Sequence, residues 1–471
     1  MNRPVPARWP GRQPALAGDR AQLPEAWAAQ AARNLPRYTS YPTAISFREA
    51  HDNTETRAWM AATRPDQTIS AYVHVPFCRR LCWYCGCHTT VTPNYDRVGA
   101  FHGVLMREVD LWADALGPHA GLAHLHFGGG SPNALTPEHF LDLARRVADR
   151  LALRPGAEVA AELDPGTLAP AFIDACAEAG VTRISLGVQT FDPLVQAKVN
   201  RIQSFGEVEA AVRHIRAVGI AGLNFDLMYG LPDQTPANVA SSVRQALELK
   251  PDRVAVFGYA HVPWMKKHQV MIKEADLADV RGRWEQAEAA DATLRAAGYV
   301  RIGLDHYARP GDPLAAAAAQ GRLRRNFQGY TDDPAPILVP IGPSSIGRFN
   351  TGFLQNAIAT DVWSAAVKAG SLPIARGLEV SAEDELRAAV IERLMCDLAV
   401  DVGVICRRHG FDAGFLDACI AAVEALEPCG LSKVEGRRVT APQDAHRLIR
   451  AVAACFDSHL PQTGRRHARA V

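Results

Sequence analysis

From Ser70 onward, short apolar, β-branched runs alternate with stretches of helical periodicity. The runs fall at 71–77, 124–128, 158–163, 183–189, 222–228, 253–260 and 299–305, and each suits a strand buried on both faces of a parallel sheet. Two intervening helices open on Thr136-Pro137-Glu138 and Thr235-Pro236, a Thr cap followed by Pro at the first helical position. Gly180, Gly219 and Gly298 stand where helices are expected to end. Repeated βα units imply a parallel sheet with right-handed crossovers. A whole or partial (β/α) barrel and a doubly wound sheet satisfy the pattern equally. Both put chemistry at the C-terminal ends of the strands. There Gly128-Gly129-Gly130-Ser131-Pro132 follows the second run, Glu162 and Asp164 end the third, Gln189 the fourth and Asp226 the fifth. Any one of these polar residues serves a helix cap or a solvated loop as readily as a site. Together on one rim they point to a site.

Beyond about Leu372 the pattern changes. Residues 382–400 and 413–426 read as amphipathic helices, and 431–440 as a hairpin turning at Glu435-Gly436. Residues 372–464 are therefore expected to form a smaller, mainly helical, winged-helix-like domain. It carries no basic stripe, which argues for a structural cap rather than a DNA reader. Residues 70–371 form the expected α/β catalytic domain. Residues 34–69 form an N-terminal arm, opening on the aromatic-rich NLPRYTSYPTAISF. Residues 1–33 read as a poorly ordered leader without the apolar core of a signal peptide, and 465–471 as a basic tail.

Composition narrows the function further. A hydrophobic content of 48% over 471 residues supplies a packed core, and a formal charge of +1 provides no global field for nucleic acid or an anionic membrane. An acidic substrate must then be held by local Arg and Lys. No apolar run approaches the ~20 residues of a membrane span. Ten cysteines are too sparse for a disulfide scaffold, and their clustering fits a reducing, cytoplasmic setting. Cys396, Cys406, Cys419, Cys429 and Cys455 are dispersed and read as packed thiols.

Four of the ten crowd residues 71–90, AYVHVPFCRRLCWYCGCHTT, directly behind the first strand. Cys78, Cys82 and Cys85 in C-x3-C-x2-C spacing can hold three corners of a [4Fe–4S] cube, because thiolate is the soft ligand such clusters require. With three protein ligands, one iron stays open. Zinc sites usually draw cysteine pairs from two separated knuckles. Unrelated buried cysteines rarely fall four to ten residues.

At Cys78, Cys82, Tyr84 and Cys85 the chain resembles the radical S-adenosylmethionine (SAM) enzymes, whose signature is C-x3-C-x-aromatic-C. The resemblance implies an α/β fold with a partial (β/α) barrel and a smaller helical C-terminal domain. Cys87, Tyr72 and the PRYTSYPTA arm make it similar to the oxygen-independent coproporphyrinogen III oxidases in particular. So do 199–201, 257–263, the DHYARP of 305–310, the Arg-rich 322–330 and the G-x-S-x-I of 342–346. The resemblance implies oxidative decarboxylation of two propionates of coproporphyrinogen III to vinyls, giving protoporphyrinogen IX. A 5′-deoxyadenosyl radical made from SAM at the cluster would take a hydrogen β to the ring, followed by loss of CO2 and one electron. It also implies two SAM molecules, an electron donor such as flavodoxin or ferredoxin, and a cytoplasmic monomer.

Cys78, Cys82 and Cys85 match the cluster ligands. Tyr72, Gly129, Glu162 and Ile346 match positions serving one SAM, and Gln189, Arg201, Asp226 and Ala260 those serving the other. Gly130 and Ser131 lie between them, and the backbone at Tyr84 matches an adenine contact. Tyr72 and Cys87 are the candidate catalytic residues, Cys87 as a cysteine that is not a cluster ligand. Two other classes fit part of the pattern. A haem chaperone of the same superfamily would keep the cluster motif, but the fourth cysteine and the arm argue against it. A zinc-stabilised structural protein would hold zinc and no sulfide.

Overall fold

The computed structural model describes residues 22–50 and 53–460. Six strands follow one another in both chain and sheet: β1 (Ile69–Val75), β2 (Leu122–Gly129), β3 (Leu153–Leu163), β4 (Arg183–Gln189), β5 (Gly222–Tyr229) and β6 (Arg253–Gly258). All five pairings between them are parallel. A seventh parallel strand, β7 (Ile337–Ile341), pairs on the free side of β1. Strand order never reverses within β1–β6, so the sheet has no switch point and is wound as a barrel rather than doubly wound. Antiparallel strands extend both edges, ending at Arg48–Glu49 and Val300–Ile302, so the 13-stranded sheet stays open.

Two expectations are corrected. The run at 299–305 does not make a parallel strand. Gly303, at φ +58, turns the chain, and Val300–Ile302 folds back antiparallel on His306–Ala308. The parallel strand is instead ILVPI at 337–341, with Pro340 inside it and Tyr72 as its partner. The strands are also not apolar on both faces. Leu125, Phe127, Val159, Ala161, Ile184, Leu186, Leu223 and Phe225 point into the main core. Their neighbours His124, His126, Glu158, Glu162, Ser185, Asn224 and Asp226 line a cavity on the concave face. The alternation is that of a sheet with one apolar and one polar side.

The expected helix signals hold. Thr136 accepts from His139 N at 3.3 Å, and Thr235 forms a capping box with Asn238. Gly180, Gly219 and Gly298 end helices at φ of +75 to +87. In the C-terminal part, helices Ala382–Asp397 and Asp417–Glu424 pack with the hairpin Lys433–Glu435/Arg438–Thr440, which turns one residue later than expected and gains a third strand, Ala399–Asp401. Cys396 and Cys406 are buried there and Cys419, Cys429 and Cys455 half-buried.

Residues 1–21 of the expected leader and the tail 465–471 lie outside the described residues. The rest of the leader is not loose. Glu25–Ala31 is helical, and Leu23, Trp27 and Ala31 are buried in the C-terminal core with Tyr38 and Tyr41 of the arm. Trp27 donates to Cys429 O at 2.7 Å and meets Trp284 edge-on at 5.6 Å. Trp284 sits on helix Val280–Ala296, whose Ala287, Ala290 and Leu294 face the barrel core, so this helix joins the two cores. No helix among the described residues is long and apolar enough to cross a membrane.

Candidate active site

β1 leads straight into the cysteine loop. Tyr72 and His74 occupy its concave face, with Tyr72 Oη 3.1 Å from His74 Nδ1 and His74 Nε2 2.9 Å from His88 O. Gly128, Gly129 and Gly130 at the end of β2 sit against this pair and the loop. A Cβ would lie 2.8 Å from Glu162 Oε2 at Gly128, 2.8 Å from the His74 ring at Gly129 and 2.6 Å from Phe77 O at Gly130. Gly129 also has φ +116. The glycines thus let the second strand press against the loop, besides leaving backbone bare for a ligand. Ser131 Oγ bonds Asn133 and accepts from Asp164 N at 3.1 Å, tying the ends of β2 and β3 together.

The loop brings the cysteine sulfurs into one electrostatic neighbourhood. Thr89 Oγ1 donates to Cys78 Sγ at 3.1 Å and Arg201 Nη1 to Cys82 Sγ at 3.4 Å. Burial raises the Cys78 thiol, whereas the Cys87 thiol, by hydrogen bonding, lowers Cys85. Cys87 itself is exposed and stands beside Cys85 as a donor to its sulfur. Arg80 approaches Asp164 to 3.7 Å, while its Nε has no hydrogen-bond partner among the described residues. Sulfurs that accept from Thr and Arg, with a second guanidinium near, complement the negative charge of a thiolate-ligated cluster. No three His, Cys, Asp or Glu among the described residues converge on a single ion. A cube does not require that, because its cysteines bind different irons. The residues therefore fit a [4Fe–4S] cluster, with Cys78, Cys82 and Cys85 to hold it.

Of the other rim residues, Glu162 and Asp226 line the cavity below the loop. Glu162 is 2.8 Å from His126 Nε2. Burial pushes Glu162 up and His126 down, but their mutual attraction outweighs it, leaving Glu162 below and His126 above the ordinary range. Asp226 accepts from Asn224 Nδ2 at 2.9 Å, and burial with the nearby Glu162 charge raises it to about 6. Gln189 ends β4 at a register shift with φ +67, a left-handed backbone uncommon for a non-glycine residue. Arg201, expected to serve one of the SAM molecules, is buried. It donates to Asp164 Oδ1 at 3.0 Å and Gly187 O at 3.1 Å as well as to Cys82. The structure places it directly behind the cysteine loop.

Three residues that sequence reasoning missed come from one segment. Residues 261–273 fold over the cysteine loop. Lys266 Nζ donates to Cys87 O at 2.9 Å, His268 Nε2 lies 2.8 Å from Cys85 O, and the fully buried Gln269 bonds both Tyr84 O at 2.9 Å and Ala260 O at 3.3 Å. Gln269 thus clamps together two backbones expected to meet a ligand. On the opposite side, buried Glu108 accepts from Gly342 N at 2.7 Å, Trp363 at 2.9 Å, Trp112 at 3.2 Å and Asn356 at 2.7 Å. It anchors the 342–345 turn that leads into Ile346, and Gly342, at φ +93, packs against His74 O. A Gln, Lys or Glu far along the chain carries no motif of its own. Only the concentration of Lys, His and Gln at 266–269, between apolar pairs, was visible.

The radical SAM superfamily model matches residues 72–246. The oxygen-independent coproporphyrinogen III oxidase of Bradyrhizobium diazoefficiens is 44% identical over 440 residues, covering 93% of this chain and 97% of that relative. The enzyme of the same description from Paracoccus denitrificans is 46% identical, covering 90% and 94%. Among solved structures, Escherichia coli coproporphyrinogen III oxidase, described as a radical SAM enzyme, superposes with a TM-score of 0.86 at 32% identity, over 91% of this chain and 100% of that one.

Proposed function

The chain belongs to the oxygen-independent coproporphyrinogen III oxidases of the radical SAM superfamily, and from this premise we propose that it converts coproporphyrinogen III to protoporphyrinogen IX by oxidative decarboxylation of two propionates. The single observation that carries the reading is the cysteine loop at the rim of the barrel, its sulfurs already served by Thr89 and Arg201. When bound, the [4Fe–4S] cluster and SAM together supply the one-electron chemistry that removes a hydrogen from the substrate side chain.

The chain's own part is positioning. Cys78, Cys82 and Cys85 would hold the cluster. Tyr72, Gly129, Glu162 and Ile346 face one SAM site, and Gln189, Arg201, Asp226 and Ala260 a second, with Gly130, Ser131 and Tyr84 between them. Gln269 keeps the Tyr84 and Ala260 carbonyls at a fixed separation. The Glu162–His126 pair keeps a carboxylate ionised in the cavity, ready to accept from hydroxyl or ammonium donors. Cys87 steadies Cys85 without ligating the cluster, and Tyr72, held by His74, is the other candidate catalytic residue. The enzyme works in the cytoplasm as a monomer with an external electron donor such as flavodoxin or ferredoxin. Anaerobic incubation of reconstituted protein with SAM, reductant and coproporphyrinogen III should yield protoporphyrinogen IX. Cys82→Ser should bind less iron and form no product; retention of full iron and turnover by that variant would refute the reading.

A further inference from the structure

The surface around the cysteine loop differs from the rest of the molecule in two ways. Of the seven large hydrophobic side chains 51–78% exposed among the described residues, six (Leu194, Ile202, Trp264, Met265, Val270 and Met271) lie on just two segments, and Val362 stands apart. Both segments grip the loop. One is 261–273, through Lys266, His268 and Gln269. The other is 193–203, where Asn200 Nδ2 bonds Leu81 O at 2.8 Å and Ile202 O accepts from Arg80 Nη1 at 2.6 Å. Exposed apolar side chains concentrated on one face mark an interaction surface.

These two segments and the loop itself are one-sided in charge. Residues 78–93, 193–203 and 261–273 contain seven Lys and Arg and no Asp or Glu, in a chain whose formal charge is +1. Arg201 is buried, and Lys198 is bridged by Asp233 and Asp276. Arg79, Lys267 and Lys273 are exposed, and Glu274 follows at the edge. The result is an apolar patch with a positive rim, directly over the site that must receive an electron from outside.

We propose that this collar is the docking face of a small acidic one-electron carrier protein, such as a flavodoxin. The proposal rests on the function given above. The carrier's reduced centre gives up one electron, is oxidised by one, and the cluster beneath the loop is reduced by one. Charge complementarity steers the encounter, and a small apolar contact lets the oxidised carrier leave, as befits weak redox interfaces. A membrane would also welcome Trp, Met and Lys, but it supplies no electron to the centre that the collar surrounds.

The test is titration of oxidised flavodoxin, and separately of an acidic ferredoxin, into cluster-loaded enzyme by calorimetry. At low salt the wild type should bind at least one carrier, and the dissociation constant should rise roughly tenfold or more at high salt and in Arg79→Glu/Lys267→Glu/Lys273→Glu. A second variant, Met265→Ser/Met271→Ser, should weaken binding without changing its salt dependence. Turnover driven by dithionite should be the same in all three proteins, whereas turnover driven by sub-saturating reduced carrier should fall with affinity. Failure of both carriers to bind the wild type, equal affinity in the charge-reversed variant, or binding of anionic phospholipid vesicles in place of either carrier would overturn the proposal. Equal loss of dithionite-driven turnover would overturn it too, since the collar would then serve substrate. Absence of product from wild type with dithionite would instead refute the underlying function.

Discussion

Asp226 sits where its own charge is unwelcome. Burial and Glu162 raise it from 3.8 to about 6, so between those values the folded chain keeps a proton that the unfolded chain has released. Stability therefore falls as pH climbs from about 4 to 6, and the full penalty stands at neutrality. Asn224 Oδ1 has no hydrogen-bond partner among the described residues and lies on the residue that already donates to Asp226. An amide at 226 could both accept from and donate to Asn224. Asp226→Asn is expected to raise stability at pH 7 by about 1–3 kcal/mol, a gain that shrinks toward pH 4, and to lower turnover. Urea melts at the two pH values check the first part and product formation the second. Gln269 makes the opposite case. Its replacement by Leu strands the Tyr84 and Ala260 carbonyls and the Val262 N–H, which donates to Gln269 at 2.6 Å. Gln269→Leu should retain iron yet raise the KM for SAM roughly tenfold or more; unchanged KM with full iron would dismiss the clamp.

Elements, rather than single groups, decide where the site is built. β1 to β3 meet at Gly128-Gly129-Gly130, where the second strand has no room for a side chain facing His74 and Phe77. Gly129→Ala combines a clash at 2.8 Å with φ +116, and both push the strand end away from the loop. Destabilisation of about 2 kcal/mol or more is expected, with lower iron incorporation after reconstitution. Iron content and thermal melts are the measurements. The alternation along β1–β6 has the same origin: apolar residues face the helices, and polar ones furnish the cavity.

At the scale of the whole molecule, the N-terminal segment belongs to the C-terminal core. Trp27, Tyr38 and Tyr41 are buried among residues from 386–456, and Tyr38 Oη donates to Asp457 at 3.0 Å. Arg37 meanwhile reaches Gly258 O at 3.0 Å, at the end of β6. The arm therefore bridges the helical part and the barrel rim. Trp27→Ala removes a large buried ring and its contact with Trp284. It should cost about 3–4 kcal/mol and expose the C-terminal helices to protease before the barrel is cut. Uniform cleavage of both parts would contradict that order.

The amino-acid sequence alone determined the chemistry and most of the strand order. Cysteine spacing, Thr-Pro caps and glycine stops are local signals, carried by adjacent residues and legible without a fold. β4 coincides with the expected run, and Cys78, Cys82 and Cys85 follow directly behind β1. Only the tertiary structure decided what depends on distant segments meeting. The strand at 337–341 was hidden by its Pro340, and the run at 299–305 looked like a strand although Gly303 turns it back. Glu108, Gln269 and the burial of Trp27 rest on contacts more than a hundred residues apart, as Glu108 to Gly342 and Trp27 to Cys429 illustrate. A hydrogen bond's partner is fixed by where the chain returns in space, and no local pattern of residues encodes that address.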